Sequence, residues 1–317
     1  MWPTFNESDP IIKNIFTNCH LLIYNSNGSV CYFNNQEFID YKYADIIIFG
    51  VFLNNHICLS DIIGLKHINT LSAQPDKGLS SNSFQVKKIL YITEPIKYIF
   101  TDSYKLYNRG IFDTVIGCVS ADIGYKYPLY LSKFDYTDKS VYMALNTYVR
   151  NIDYLPLNFC CLINSHDNFN TRTAIYNKLK TIGHIDCPGK LYNNMSNNEL
   201  DKNGNISFIS NYIFNICSEN TINNLSGYIT EKIINCVLAG SIPIYCGCFD
   251  ESDKLIFNTN RILFYELNET SINQCYEKVK ELYCNKNKLK LFYKQPIFTP
   301  QAYDTIINMD SLLKSIF

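Results

Sequence analysis

The run Tyr212-Ile213-Phe214-Asn215-Ile216-Cys217-Ser218-Glu219-Asn220-Thr221 is followed by Gly227-Tyr228-Ile229-Thr230-Glu231-Lys232-Ile233-Ile234. Gly240-Ser241-Ile242-Pro243-Ile244-Tyr245-Cys246-Gly247 comes next. Residues 213–217 form a short, nearly continuous apolar run, which predicts a strand buried on both faces. Ile229, Ile233 and Val237 recur every four residues with Ile234 and Leu238 beside them, so residues 229–239 should form a helix with one apolar face. Gly240 then supplies the C′ position, where a positive φ is commonly needed. Residues 242–245 give a second apolar strand. Strand, helix, strand is the repeating unit of an α/β architecture.

The same alternation continues in both directions. Downstream come a strand at 261–265 and helices at 271–283 and 303–316. Upstream, a strand at 158–163 (Phe159-Cys160-Cys161-Leu162-Ile163) leads to a helix at 170–181 and a strand at 184–187 that ends at Pro188-Gly189. Earlier still, residues 20–24, 45–50, 88–93 and 114–118 read as strands, 71–82 as an exposed loop and 133–151 as a helix. Leu155-Pro156-Leu157 interrupts the pattern. Residues 1–155 and 156–300 are therefore expected as two α/β domains, with 301–317 as a terminal helix packing back on the first half. A chain of 317 residues has room for two cores of ordinary size.

Composition excludes several classes of function. The 28 Lys+Arg nearly balance 29 Asp+Glu for a net charge of −1, without the basic excess of a nucleic-acid binder. The 13 cysteines are odd in number, include the adjacent pair Cys160-Cys161 and show no CxxC or metal spacing, which suits buried reduced thiols. Residues 1–6 lack the basic and apolar regions of a signal peptide. The longest apolar run, 44–53 with Asp45 inside it, falls short of the roughly 20 residues needed to cross a bilayer. These features predict a soluble intracellular protein. Sequons such as Asn6-Glu7-Ser8 and Asn224-Leu225-Ser226 follow from the richness in Asn.

In parallel sheets ligands gather at the carboxyl ends of the strands, where helix N-termini favour phosphate. Ser218-Glu219-Asn220-Thr221 leaves the strand at such an end, and Lys232 falls in the first turn of the next helix. A diphosphate site there would join the helix dipole to a cation, with Glu231 better suited to sugar hydroxyls than to phosphate. Ordinary capping, with Glu231 answering the dipole, explains the same positions. Position alone leaves both readings open.

The residue pattern adds a resemblance. An aromatic-rich strand ending in Glu219-Asn220, the helix start Tyr228-Ile229-Thr230-Glu231-Lys232 and the strand Ser241-Ile242-Pro243-Ile244-Tyr245-Cys246-Gly247 resemble the donor-site signature of the α1,3/4-fucosyltransferases, glycosyltransferase family 10. Asn164-Ser165, Arg172, Tyr176, Leu179, Asp186 and Gly189 look like the family's preceding segment. Ala44-Asp45-Ile46-Ile47-Ile48-Phe49-Gly50, Leu90-Tyr91-Ile92-Thr93-Glu94 and Tyr127-Pro128-Leu129-Tyr130 are similar to its N-terminal markers. The resemblance covers residues 40–300, densely in the second half and sparsely in the first.

The resemblance implies a GT-B fold, two Rossmann-like domains facing across a cleft, with a glycan acceptor of GlcNAc type on the first and GDP-fucose on the second. It implies an inverting displacement with Glu94 as general base. Arg172 and Lys232 would contact the diphosphate, Asn220 and Tyr228 would make further donor contacts, and Glu231 would face the sugar. No Asp-x-Asp motif occurs in the chain, so no cofactor and no catalytic divalent metal is expected. Three departures stand out: Ser218 where the family has Phe, Ile213 where it has a basic residue, and Pro95 after Glu94. They keep open a different nucleotide sugar, or a catalytically silent GT-B protein that binds glycans or nucleotides.

Overall fold

The computed structural model describes residues 22–24, 30–32, 46–50, 87–92, 112–119, 123–147, 158–195, 199–222 and 227–316. The chain divides into two compact units, one of residues 1–127 with 313–317, the other of residues 128–312.

In the first unit, β1 (Leu22–Tyr24) pairs antiparallel with β2 (Val30–Tyr32). Four further strands, β3 (Ile46–Gly50), β4 (Lys87–Ile92), β5 (Thr114–Gly117) and β6 (Tyr125–Lys126), form a parallel sheet in that order. Ile89, Leu90, Tyr91, Ile92, Val115 and Ile116 are all buried, which is why the apolar runs are continuous rather than alternating. Gly117 has φ 125°, and a Cβ there would lie 2.0 Å from the Ile92 carbonyl oxygen. At the chain's end, the Lys87 ammonium donates to the Ile316 carbonyl within the same unit. The expected loop at 71–82 lies outside the described residues.

The second unit opens with a 3₁₀ turn, Leu129–Lys133, and α1 (Lys139–Thr147). Its sheet comprises β7 (Asn158–Cys161), β8 (Ile185–Asp186), β9 (Tyr212–Ile216), β10 (Ile242–Tyr245) and β11 (Leu263–Phe264). The order is β8-β7-β9-β10-β11 and every pairing is parallel. The helices are α2 (Thr171–Leu179), α3 (Glu199–Ile209), α4 (Glu231–Leu238), α5 (Glu251–Ile256), α6 (Glu269–Cys284), α7 (Lys286–Tyr293) and α8 (Ala302–Lys314). Counted within the unit, the strands run 2-1-3-4-5. This is a doubly wound sheet whose order reverses between β7 and β9, and ligands of such sheets bind beyond the strand ends at that reversal.

One core cluster joins Phe159, Leu162, Ile175, Leu179, Phe214, Ile216, Ile242 and Ile244 to Val279, Leu282 and Phe292 of α6 and α7. The apolar face read on α4 is real: Ile233, Ile234 and Val237 are buried, and Gly240 follows its C-cap with φ 72°. The Asn215 side chain donates to the Cys161 carbonyl at 3.2 Å, tying β9 to β7 at the reversal. The strands expected at 158–163, 184–187, 213–217, 242–245 and 261–265 all occur within two residues of those bounds.

The division at 127 lies well before the Leu155-Pro156-Leu157 break suggested by the sequence. The physical reason is aromatic packing. Tyr130 meets Phe257 edge-on at 5.1 Å, and Tyr142 lies 5.1 Å from Phe298 and 5.6 Å from Tyr303. The Tyr136 hydroxyl donates to Asp310 at 3.1 Å. The segment 128–147 thereby belongs to the second unit, although it precedes the break. Helices α3, α5 and α7 were not anticipated. Gly204 weakens the helical pattern of α3, and α7 starts directly from Asn285, the residue that ends α6.

Candidate functional site

The reversal between β7 and β9 sets two helix starts side by side. Helix α2 begins shortly after β7 and carries Arg172 as its second residue. Helix α4 follows the loop from β9 and opens with Glu231 and Lys232. Between them runs Ser218-Glu219-Asn220, fresh from the end of β9. The sequence links these residues only by pattern; parallel pairing of β7 with β9 makes them neighbours.

Arg172 is 1% exposed. Its Nε and Nη2 donate to the Ser218 carbonyl at 3.3 and 3.0 Å, Nη1 to the His166 carbonyl at 2.6 Å, and Nη2 to Asn220 Oδ1 at 2.6 Å. Burial pulls the guanidinium below its ordinary value, with Asp167 and Glu219 pulling it back. The fork expected to grip a ligand is thus largely engaged by the protein's own oxygens. Asn220 faces Arg172 and is only partly buried.

Asp167 anchors the start of α2. Its carboxylate accepts from the backbone N–H groups of Arg172 at 3.0 Å and Thr173 at 2.6 Å, and from the Thr171 hydroxyl at 3.2 Å. Burial alone would raise this carboxyl, but the bonds from Thr173, Arg172 and Thr171 prevail and hold it below its ordinary value. Asn170, which precedes the helix, takes φ 57° and makes no side-chain cap. Asp167 does that work from three residues further back.

At α4 the organising group is Glu219, fully buried. It accepts from the Thr230 backbone N–H at 2.7 Å, the Thr230 hydroxyl at 2.8 Å, the Tyr245 hydroxyl at 3.4 Å and the Lys232 ammonium at 3.0 Å. Lys232 also donates to Thr230 Oγ1 at 2.8 Å, and the side chain remains about one-fifth exposed. Burial pushes the ammonium down, but Glu219 and Glu231 push harder, so its pKa stands above the ordinary value. Thr230 caps α4 by accepting from the Lys232 backbone N–H. Capping is therefore done by Thr230 rather than Glu231, which is partly exposed in the first turn. Tyr228 is buried to 1% exposure behind this turn.

Ser218, where the resembled family has an aromatic residue, is part of a buried relay. Its hydroxyl lies 2.5 Å from the Tyr265 hydroxyl, which donates to the Thr171 carbonyl at 2.7 Å. Arg172, Asn220, Tyr228, Glu231 and Lys232 thus all sit around the two helix starts. Glu94 lies outside the described residues, two positions beyond the end of β4. Sequence reasoning assigned no role to Glu219, Thr230, Asp167 or Tyr265. Only Glu219 carried a usable signal, an acidic residue ending an apolar strand directly before Asn220.

The family model described as Glycosyltransferase family 10 (fucosyltransferase) C-term matches residues 157–293. An Alpha-(1,3)-fucosyltransferase FucT of Helicobacter pylori is 26% identical over 246 residues, spanning 67% of this chain. The chain spans about half the length of that curated relative. Among solved structures, an alpha1,3-fucosyltransferase aligns with TM-score 0.54 at 21% identity, covering 86% of this chain and 78% of its own. An alpha1,3-fucosyltransferase with GDP-fucose aligns with TM-score 0.53 at 20% identity, covering 85% and 90%. These likenesses show a shared fold, the GT-B class expected from the sequence. Among the described residues, no helix is long and apolar enough to cross a membrane. The likeness is thus to glycosyltransferase family 10, the fucosyltransferases, and it is carried by residues 157–293, the part of the chain that the family model matches.

Proposed function

We propose that the chain is an inverting fucosyltransferase that moves fucose from GDP-fucose to a hydroxyl of a GlcNAc-type glycan. The observation that carries this reading is the pairing of Arg172 and Lys232 at two adjacent helix starts beyond the β7–β9 reversal. Both cations are fixed by Ser218-Glu219-Asn220. In the reaction the acceptor oxygen attacks the anomeric carbon and the bond from that carbon to the GDP oxygen breaks. The acceptor's proton passes to Glu94, placed in the base role by the resemblance. Negative charge grows on the departing diphosphate, where two preorganised cations lower the barrier. Lys232 meets the phosphates through its exposed portion, and Arg172 acts through its charge and its remaining Nη1 hydrogen. Asn220 and Tyr228 border the donor, and Glu231 faces the sugar hydroxyls.

With two cations available for the leaving group and no Asp-x-Asp motif in the sequence, the reaction needs no divalent ion. The test is isothermal titration with GDP and UDP, followed by GDP release from GDP-fucose over an array of GlcNAc-terminated glycans, with and without EDTA. Preferential GDP binding and EDTA-resistant fucose transfer are expected. Binding of GDP without transfer to any acceptor would favour a silent binding protein. Preference for UDP would point to another nucleotide sugar.

A further inference from the structure

Glu219 is the one anion sealed inside the cluster, and its contacts have a pattern. One oxygen takes the Thr230 backbone N–H at 2.7 Å, and the other takes the Thr230 hydroxyl at 2.8 Å and the Lys232 ammonium at 3.0 Å. The next residue, Asn220, turns its side chain the other way and accepts from Arg172 at 2.6 Å. The residue before, Ser218, offers Arg172 its carbonyl. Three consecutive residues thus hold both cations, with Glu219 serving α4 and its neighbours serving α2.

An ammonium has three N–H donors. Glu219 and Thr230 take two of those of Lys232, which leaves the third for the side facing solvent. A free lysine side chain has several rotatable bonds and no preferred aim; this one is held at two points. We propose that Glu219 is a positioning residue, which orients the Lys232 ammonium toward a nucleoside diphosphate without touching the ligand. This rests on the donor site proposed above and assigns a task to a residue that the site did not include.

The alternative is a purely structural Glu219 that caps α4 through Thr230. The two roles separate chemically. Gln in place of Glu retains an acceptor for Thr230 but turns an amide NH₂ toward a second donor, so the cap survives while the hold on the ammonium fails. Groups facing the pair are Glu231 on the same helix, Arg172 from α2 and Tyr245 from β10, and all three remain in the variant.

The experiment is a double-mutant cycle read by isothermal titration with GDP, using wild type, Glu219→Gln, Lys232→Ala and the double variant. Positioning predicts a loss of about tenfold or more in GDP affinity for Glu219→Gln. It also predicts little further loss when the same change is made in Lys232→Ala, because the interaction is already gone. Additive losses, or wild-type affinity in Glu219→Gln, would overturn the inference. Failure of the wild-type protein to bind GDP would instead overturn the donor site. A second measurement needs no variant: in the wild-type protein, acylation of Lys232 followed by mass spectrometry should be much slower than that of the exposed Lys178. Equal rates would show that Lys232 is not held, whether or not Glu219→Gln folds.

Discussion

Lys232 is the residue on which the donor reading turns, since its ammonium is held by Glu219 and Thr230 while about one-fifth of the side chain stays exposed. Lys232→Ala should weaken GDP binding about tenfold or more, the scale of one charge-assisted contact to a phosphate, while leaving glycan binding nearly unchanged. Isothermal titration with each ligand checks both statements. Because the pKa of Lys232 stands above its ordinary 10.5, its charge is complete below that pH and is lost only as the pH rises through the raised value. Its contribution to GDP affinity should therefore stay flat across neutral and mildly alkaline buffers. Asp167 has the opposite sign. Its folded value is depressed below 3.8, so its stabilising contribution is present above the ordinary carboxylate range and disappears as the pH falls through the lowered value. Asp167→Asn should lower the melting temperature at neutral pH, and the gap from wild type should close in acid. Glu94→Gln should abolish transfer and leave GDP affinity intact; loss of GDP binding would remove the base assignment.

At the level of elements, the two helix starts depend on caps of different kinds. Helix α4 is capped locally by Thr230, whose hydroxyl also meets Glu219 and Lys232. Replacing an N-cap threonine by alanine ordinarily costs about 1 kcal/mol. Thr230→Ala should cost at least that in chemical denaturation, and it should weaken GDP binding as well because it frees one side of the ammonium. The other end of α4 gives a control remote from the ligand. Gly240 sits at φ 72°, where a side chain costs roughly 1–2 kcal/mol. Gly240→Ala should reduce stability by that amount with GDP affinity unchanged, as judged by denaturation and titration on the same preparation.

For the whole molecule, the second unit combines a doubly wound sheet with an aromatic cluster contributed by segments far apart in sequence. Phe298 is fully buried among Phe134, Tyr142 and Phe257, and Asn146 accepts from its backbone N–H at 2.7 Å. Phe298→Ala should destabilise this unit by about 3–5 kcal/mol, the usual cost of truncating a buried aromatic side chain. Calorimetry should show the change in a transition that GDP shifts upward. The ten cysteines whose side chains are described are free, nine of them buried and Cys284 exposed, as expected for reduced core thiols. Residues 128–147 show what distance along the chain conceals: they read as the tail of one domain and fold as part of the next.

By itself the sequence determined the α/β class, the identity of the strands around β9, the apolar face of α4 and the glycine that ends it, because periodicity and turn chemistry are local. It also singled out Arg172, Asn220, Glu231 and Lys232, since their spacing resembles a known donor signature. Only the tertiary structure decided that Arg172 is engaged by the Ser218 and His166 carbonyls, that Thr230 rather than Glu231 caps α4, and that Glu219 holds Lys232. The contact of Arg172 with Ser218 depends on β7 pairing with β9 in parallel, a long-range choice, whereas the cap and the hold on Lys232 depend on how the connection from β9 to α4 brings Thr230 and Lys232 back to Glu219. A buried carboxylate finds its partners through that return of the chain, and no spacing along the chain records which partners they are.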